Sequence, residues 1–342
     1  MYTRINQSRV ILLSVLFLVI ALPLIGCQKP PVISQFYTDN STIIVGEKAQ
    51  LHWSVSGAES ISLKDNDGKI IAIADNVSAV SPLKTTNYTL IASNSAGTDN
   101  KSVVVSIDWT KTGDSYFKHV KYNEALKAYE AAIELNENSV TAWVGKAKCL
   151  RELKRYDEAL IACSTAIKIN PSLAEGYLYR ALIYSSKRQY DLAIKDYNRA
   201  IELNTNDAVA YLNRGFIYHT EADYSRAISD YTQSIELNPK SSEAYFNRGL
   251  VYDQLGNDSN AIADYNKAIE LDSMYTEAYR IRGMFYYFRK DYDKSIVDFT
   301  KVIEIDPNFA KVYAYRGLVY HDKGDSIKAE ADMKKAKELG WK

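Results

Sequence analysis

The chain has 342 residues, and its 42 lysines and arginines balance 42 aspartates and glutamates. That length accommodates two or three domains, and the balanced charge lacks the basic excess that drives nucleic-acid binding. The histidines, His52, His119, His219 and His321, are dispersed. With no H-E-x-x-H, P-loop, dinucleotide glycine pattern or nucleophile elbow, the sequence points away from an enzyme and implies no cofactor and no metal.

At the N-terminus Arg4 and Arg9 precede a 13-residue apolar run, Val10 to Leu22, interrupted only by Ser14. A spanning helix needs about 20, so this run is short for a membrane span and suits an export signal. The next residues, Leu24-Ile25-Gly26-Cys27, resemble the lipobox of bacterial lipoproteins. The resemblance implies a signal peptide over 1–26, a diacylglyceryl group on the Cys27 thiol, and a short linker over 27–31. A simple secreted protein or an uncleaved anchor is the alternative. Gln28 stands where an aspartate commonly retains Gram-negative lipoproteins in the inner membrane, which points to the outer membrane if the cell is of that type.

From Pro30 to Ile107 short β-branched runs alternate with Gly, Asn, Asp and Ser. Strands are expected at 32–36, 42–45, 49–55, 60–63, 69–73, 76–80, 87–93 and 101–107, the spacing of a sandwich. Gln50 to Val55 alternates so that Leu51, Trp53 and Val55 share one face, with Trp53 as core anchor. Asp65 to Lys69 places carboxylates at alternate positions, yet lacks the third loop ligand and the distant glutamate of an EF-hand. Asp67-Gly68 instead reads as a hairpin turn. The segments VGEKAQLHWSVSG, PLKTTNYTLIASNSAG and VVVSI resemble bacterial immunoglobulin-like domains, which implies such a sandwich over 32–107 with Tyr88 at a corner.

From Ser106 onward a 34-residue unit recurs seven times: about 106–139, 140–173, 174–207, 208–241, 242–275, 276–309 and 310–342. Position 4 is aromatic (Trp109, Trp143, then Tyr177 to Tyr313), position 8 is Gly or Ala, and position 11 is Leu or Tyr, a helix-face spacing. The second half reads Y-x-x-A-I-x-D-Y-x-x-A-I-E-L-N-P at its fullest, from Tyr224 to Pro239. This pattern resembles the tetratricopeptide repeat, which implies that 108–342 form an all-α superhelical solenoid of helix hairpins. The chain departs from it at Cys163, Ser234, Ser295 and Met333.

Repeats 3 to 7 carry Arg at position 7 and Asp at position 23, and repeats 1 and 2 carry neither, so an interhelical ion pair of the modest strength of exposed pairs is expected. Positions 21 and 28 are apolar through repeat 6 and become Glu330 and Lys337 in repeat 7, the mark of a solvated cap. Cys149 and Cys163 either pair in an oxidising envelope or fill space as buried thiols.

In tetratricopeptide arrays the concave surface is lined by positions 2, 5, 6 and 9 of the first helices. The resemblance therefore implies a peptide-binding groove at Leu178, Tyr179, Leu182, Leu212, Asn213, Phe216, Phe246, Asn247, Leu250, Arg280, Met284, Tyr315 and Leu318, with part of this set interior. Its apolar stripe and two asparagines suit an extended peptide or an amphipathic helix. The expected function is a lipid-anchored envelope scaffold binding protein or peptide partners, tethered to the membrane. Alternatives are an accessory factor assembling a pilus, outer-membrane protein or secretion complex, and cell-wall carbohydrate binding through the sandwich.

Overall fold

The computed structural model describes residues 28–73 and 75–341; the export signal and Cys27 lie outside the described residues. The chain divides into two compact units, one through Asp108 and one from Trp109. The first unit holds eight strands: β1 (Val32–Thr38), β2 (Thr42–Ile43), β3 (Ala49–Ser56), β4 (Ser60–Lys64), β5 (Ile70–Ile71), β6 (Val77–Val80), β7 (Thr86–Asn94) and β8 (Gly97–Ile107). They form a three-stranded sheet in the order β1-β3-β6 and a five-stranded sheet in the order β2-β8-β7-β4-β5. On β3, Leu51 and Trp53 are buried while Gln50, His52 and Ser54 retain solvent contact. Tyr88 is buried on β7, and burial raises its hydroxyl pKa. Strand β8 starts at Gly97, four residues before its expected start, because it pairs with β7 without interruption from Asn94↔Gly97 to Thr86↔Val105. In the Asp65 to Lys69 turn one Asp65 oxygen accepts the N–H groups of Asp67 and Lys69 at 3.0 and 2.9 Å, and Gly68 adopts φ +80°. That carboxylate serves the turn's own backbone.

The second unit is all-α. Its first helices are α1 (Trp109–Lys118), α3 (Val140–Glu152), α5 (Ala174–Ser186), α7 (Ala208–Thr220), α9 (Ser242–Gln254), α11 (Thr276–Phe288) and α13 (Ala310–Lys323). Each is followed by a second helix: α2 (Tyr122–Leu135), α4 (Tyr156–Ile169), α6 (Tyr190–Leu203), α8 (Tyr224–Leu237), α10 (Asp258–Leu271), α12 (Tyr292–Ile305) and α14 (Ser326–Glu338). Among the described residues no helix is long and apolar enough to cross a membrane.

Local chemistry sets both turns of the unit. At position 15 the backbone turns left-handed in every repeat: Val120, Lys154, Arg188, Ala222, Gly256, Lys290 and Gly324 all have positive φ. The N–H of the next residue then bonds back five residues, as from Asn257 to the Tyr252 carbonyl at 2.8 Å, satisfying a carbonyl at the helix end. At position 31 an Asn or Asp side chain accepts the N–H two residues on, as Asn170 does from Ser172 at 3.1 Å.

The deepest burial follows positions 3, 8 and 10 of the first helix and 20, 24 and 27 of the second. Position 10 (Cys149, Ile183, Ile217, Val251, Phe285, Val319) outranks the position-4 aromatics, which stay half-buried. Those aromatics carry a polar tip that must reach a partner at the rim, as Trp143 Nε1 reaches the Glu137 carbonyl at 2.8 Å. Position 8 is small because the position-24 ring lies on it: a Cβ on Gly249 would stand 2.9 Å from the Tyr265 ring, and one on Gly283 2.9 Å from Phe299. Cys149 and Cys163 are free, buried thiols in one apolar cluster. Glu330 and Lys337 are exposed on the last helix.

Position-7 arginines meet position-23 aspartates in all five repeats that carry them, and each pair is bidentate. Arg248 donates to the two Asp264 oxygens at 2.8 and 2.9 Å. The third guanidinium nitrogen reaches position 25 of the preceding repeat, Thr232 in this case at 3.0 Å, and the position-4 ring lies within 5.7 Å. The aspartate side chains are only 2% to 10% exposed. The expectation of a weak surface pair is therefore corrected: these carboxylates are held inside the array, and removing one partner strands a charge.

Candidate functional site

First helices of successive repeats contact one another from α1 through α9. Between repeats 2 and 3 the Lys148 ammonium, at position 9, donates to Glu175, at position 2 of the next repeat, at 2.6 Å. Leu182 with Val209, and Phe216 with Glu243, occupy the same two positions in the repeats that follow.

The thirteen expected groove residues separate into floor and wall. Leu178 and Phe246, at position 5, are buried and offer no surface for a partner. Phe246 makes tilted ring contacts with Tyr265 on the second helix of its own hairpin and with Tyr275 at the start of α11, ring centroids 6.0 and 5.1 Å away. Leu212 packs half-buried on the cluster around Tyr231, Leu250 on that around Tyr265, and Met284 and Tyr315 on that around Phe299. Leu182 is half-buried beside Tyr197. Phe216 and Leu318 stand out, 47% and 40% exposed.

The polar members differ in what they have free. Arg280 donates to Glu277 at 2.8 Å and holds that carboxyl below its ordinary pKa, so its charge is already compensated. Tyr179 lies beneath Lys148 and Arg151, 4.6 and 5.5 Å from its centroid. Asn213 commits an amide hydrogen to its own helix, donating to the Val209 carbonyl at 2.8 Å. Asn247 makes no such bond among the described residues, leaving its whole amide to a ligand. Sequence reasoning passed over Val209, 49% exposed, and the exposed Glu243. The signal was present: Val209 is the one apolar residue at position 2 in repeats 2 to 7. His219 bonds Gln254 of the next repeat at 2.9 Å, and His321 contacts Asp322.

Tetratricopeptide repeat family models match residues 110–174, 242–275 and 310–339, and a related repeat model matches 181–221, 223–256 and 283–324. The chain belongs to the tetratricopeptide repeat family through this helical unit. Proteins of this family serve in protein–protein interaction and scaffolding. Similar solved structures include the C-terminal part of a repeat protein from Cytophaga hutchinsonii, 22% identical over 68% of this chain and 95% of that one, with a TM-score of 0.53. A tetratricopeptide repeat protein from Parabacteroides merdae is 21% identical over 68% and 92%, at 0.51. The pilF protein of Pseudomonas aeruginosa is 17% identical over 60% and 93%, at 0.54. At these identities the likeness shows the fold alone. No curated protein matches the sequence.

Proposed function

We propose that this protein is a lipid-anchored adaptor of a bacterial cell envelope that holds a polypeptide partner against its first-helix layer. The observation that carries the reading is the set of apolar side chains at positions 2 and 9 of repeats 3 to 5, Val209 and Phe216 exposed and Leu182 and Leu250 half-buried, on the first helices at the middle of the array. Contiguous exposed apolar surface in a stable scaffold marks an interaction site. The anchor rests on Arg4, Arg9, the 13-residue apolar run and the lipobox-like residues ending at Cys27. In this reading the β unit is an immunoglobulin-like sandwich serving as a spacer above the bilayer.

Two measurements test the proposal. A photo-crosslinking amino acid at Phe216 should capture a defined protein in cells, while the same probe at Ile161, exposed on α4, should not; equal capture at both sites refutes the groove. An alkyne fatty acid should label the wild-type chain and not Cys27→Ala, and label surviving that change refutes the anchor.

A further inference from the structure

Three glutamates occupy position 2 of the repeat, and their surroundings differ. Glu175 is compensated by Lys148 of the preceding repeat at 2.6 Å, and Glu277 by Arg280, three residues on, at 2.8 Å. Glu243 lies between them in the array and has no ion pair among the described residues. The cation is missing because its two source positions hold Phe216, at position 9 of the repeat before, and Phe246, at position 5 of its own.

Glu243 is exposed; burial first, and the Glu243 charge second, raise the hydroxyl pKa values of Tyr231 and Tyr275 in the aromatic floor. The Tyr231 hydroxyl is buried with no hydrogen-bond partner among the described residues. A carboxylate above a low-dielectric apolar floor attracts a cation more strongly than one surrounded by water. Asn247, one helical turn on from Glu243 in α9, makes no side-chain hydrogen bond among the described residues, and Phe216 occupies position 9 of the preceding repeat. We infer that the groove is selective for a polypeptide segment bearing a lysine or arginine flanked by apolar residues, with Glu243 as the specificity-determining acceptor of the cation. This inference rests on the groove reading above: Phe216, Val209 and Leu182 take the flanking apolar side chains, and Asn247 takes a backbone amide.

Glu243 also sits in the first turn of α9, where a carboxylate favours the helix dipole. The test therefore reads partner chemistry as well as stability. Random peptides displayed on phage are selected on the full chain and on Glu243→Gln, Glu243→Lys and Phe216→Ala variants whose thermal unfolding has been compared. Wild type should enrich Lys or Arg between apolar residues, and Glu243→Lys should enrich Asp or Glu at the same place. Glu243→Gln should weaken the wild-type peptide about three- to tenfold at low salt, the scale of one partly desolvated ion pair, and should remove its salt dependence. Peptides without a cation, or the same cation on Glu243→Lys, overturn the assignment of Glu243 and leave the groove standing. Peptides indifferent to Phe216→Ala, or no enrichment at all, overturn the groove reading and the specificity with it.

Discussion

Replacing Arg248 by Met strands the Asp264 carboxylate, whose side chain is 8% exposed and whose two oxygens both lose their donor. Breaking a buried ion pair from one side costs about 3 to 5 kcal/mol. Arg248 itself retains 17% exposure, so water can reach part of the vacated site and the lower end, about 3 kcal/mol, is expected. The double replacement Arg248→Met with Asp264→Leu removes charge and counter-charge together and should return to within about 1 kcal/mol of wild type. The chain already carries this experiment: repeat 1 has Thr112 with Ala128, and repeat 2 has Lys146 with Ala162. Lys146 keeps the link to the preceding repeat, an ion pair with Glu130 at 2.9 Å, and the contact with its own position-4 ring, Trp143, at 5.7 Å. The assay is urea unfolding followed by circular dichroism, joined to amide exchange on α9 and α10, because repeat arrays open locally and a single midpoint averages over the units. A loss below about 1 kcal/mol for the single change, or a double variant no better than the single, would refute the placement of these aspartates inside the array.

Val120 is β-branched, 67% exposed and held at φ 61°, so Val120→Gly should raise stability by about 1 kcal/mol; an unchanged or lower melting temperature contradicts the left-handed turn. A Cβ on Gly145 would stand 2.3 Å from the Tyr129 ring, so Gly145→Ala should cost about 1 to 2 kcal/mol despite alanine's better helix propensity, seen as lost exchange protection in α2 and α3. Burial pushes the Cys149 and Cys163 thiols up to about 12. The native protein should leave both unlabelled by a thiol reagent near pH 8, and native labelling of either would place it outside the core. The folded state favours the protonated thiol, so this contribution is complete below the unfolded thiol pKa of about 8.5. It falls as pH rises from there toward 12, and urea midpoints should decline across that window.

The repeat register, the hairpin architecture and the charged face of the last helix were legible because each depends on spacing alone. A 34-residue period fixes which side chains share a helix face, and seven copies let the exceptions stand out. The Arg–Asp pairing was also readable, since the two residues are present or absent together. Its depth was not: exposure of Asp264 depends on Tyr245 and Thr232 closing over Arg248 from two repeats.

The groove divides along the same line. Sequence by itself placed apolar residues and amides on the first helices. It could not show that Leu178 and Phe246 turn inward while Phe216 and Val209 face water, because a rotation of one helix position decides this and neighbouring hairpins set that rotation. Glu175, Glu243 and Glu277 are identical in residue type and repeat position, and only the neighbouring side chains leave one of the three carboxylates without an ion pair among the described residues. Periodicity is a property of one strand of text and survives in sequence. Compensation of charge and access to solvent are sums over atoms from different repeats, and those sums exist only once the helices have packed.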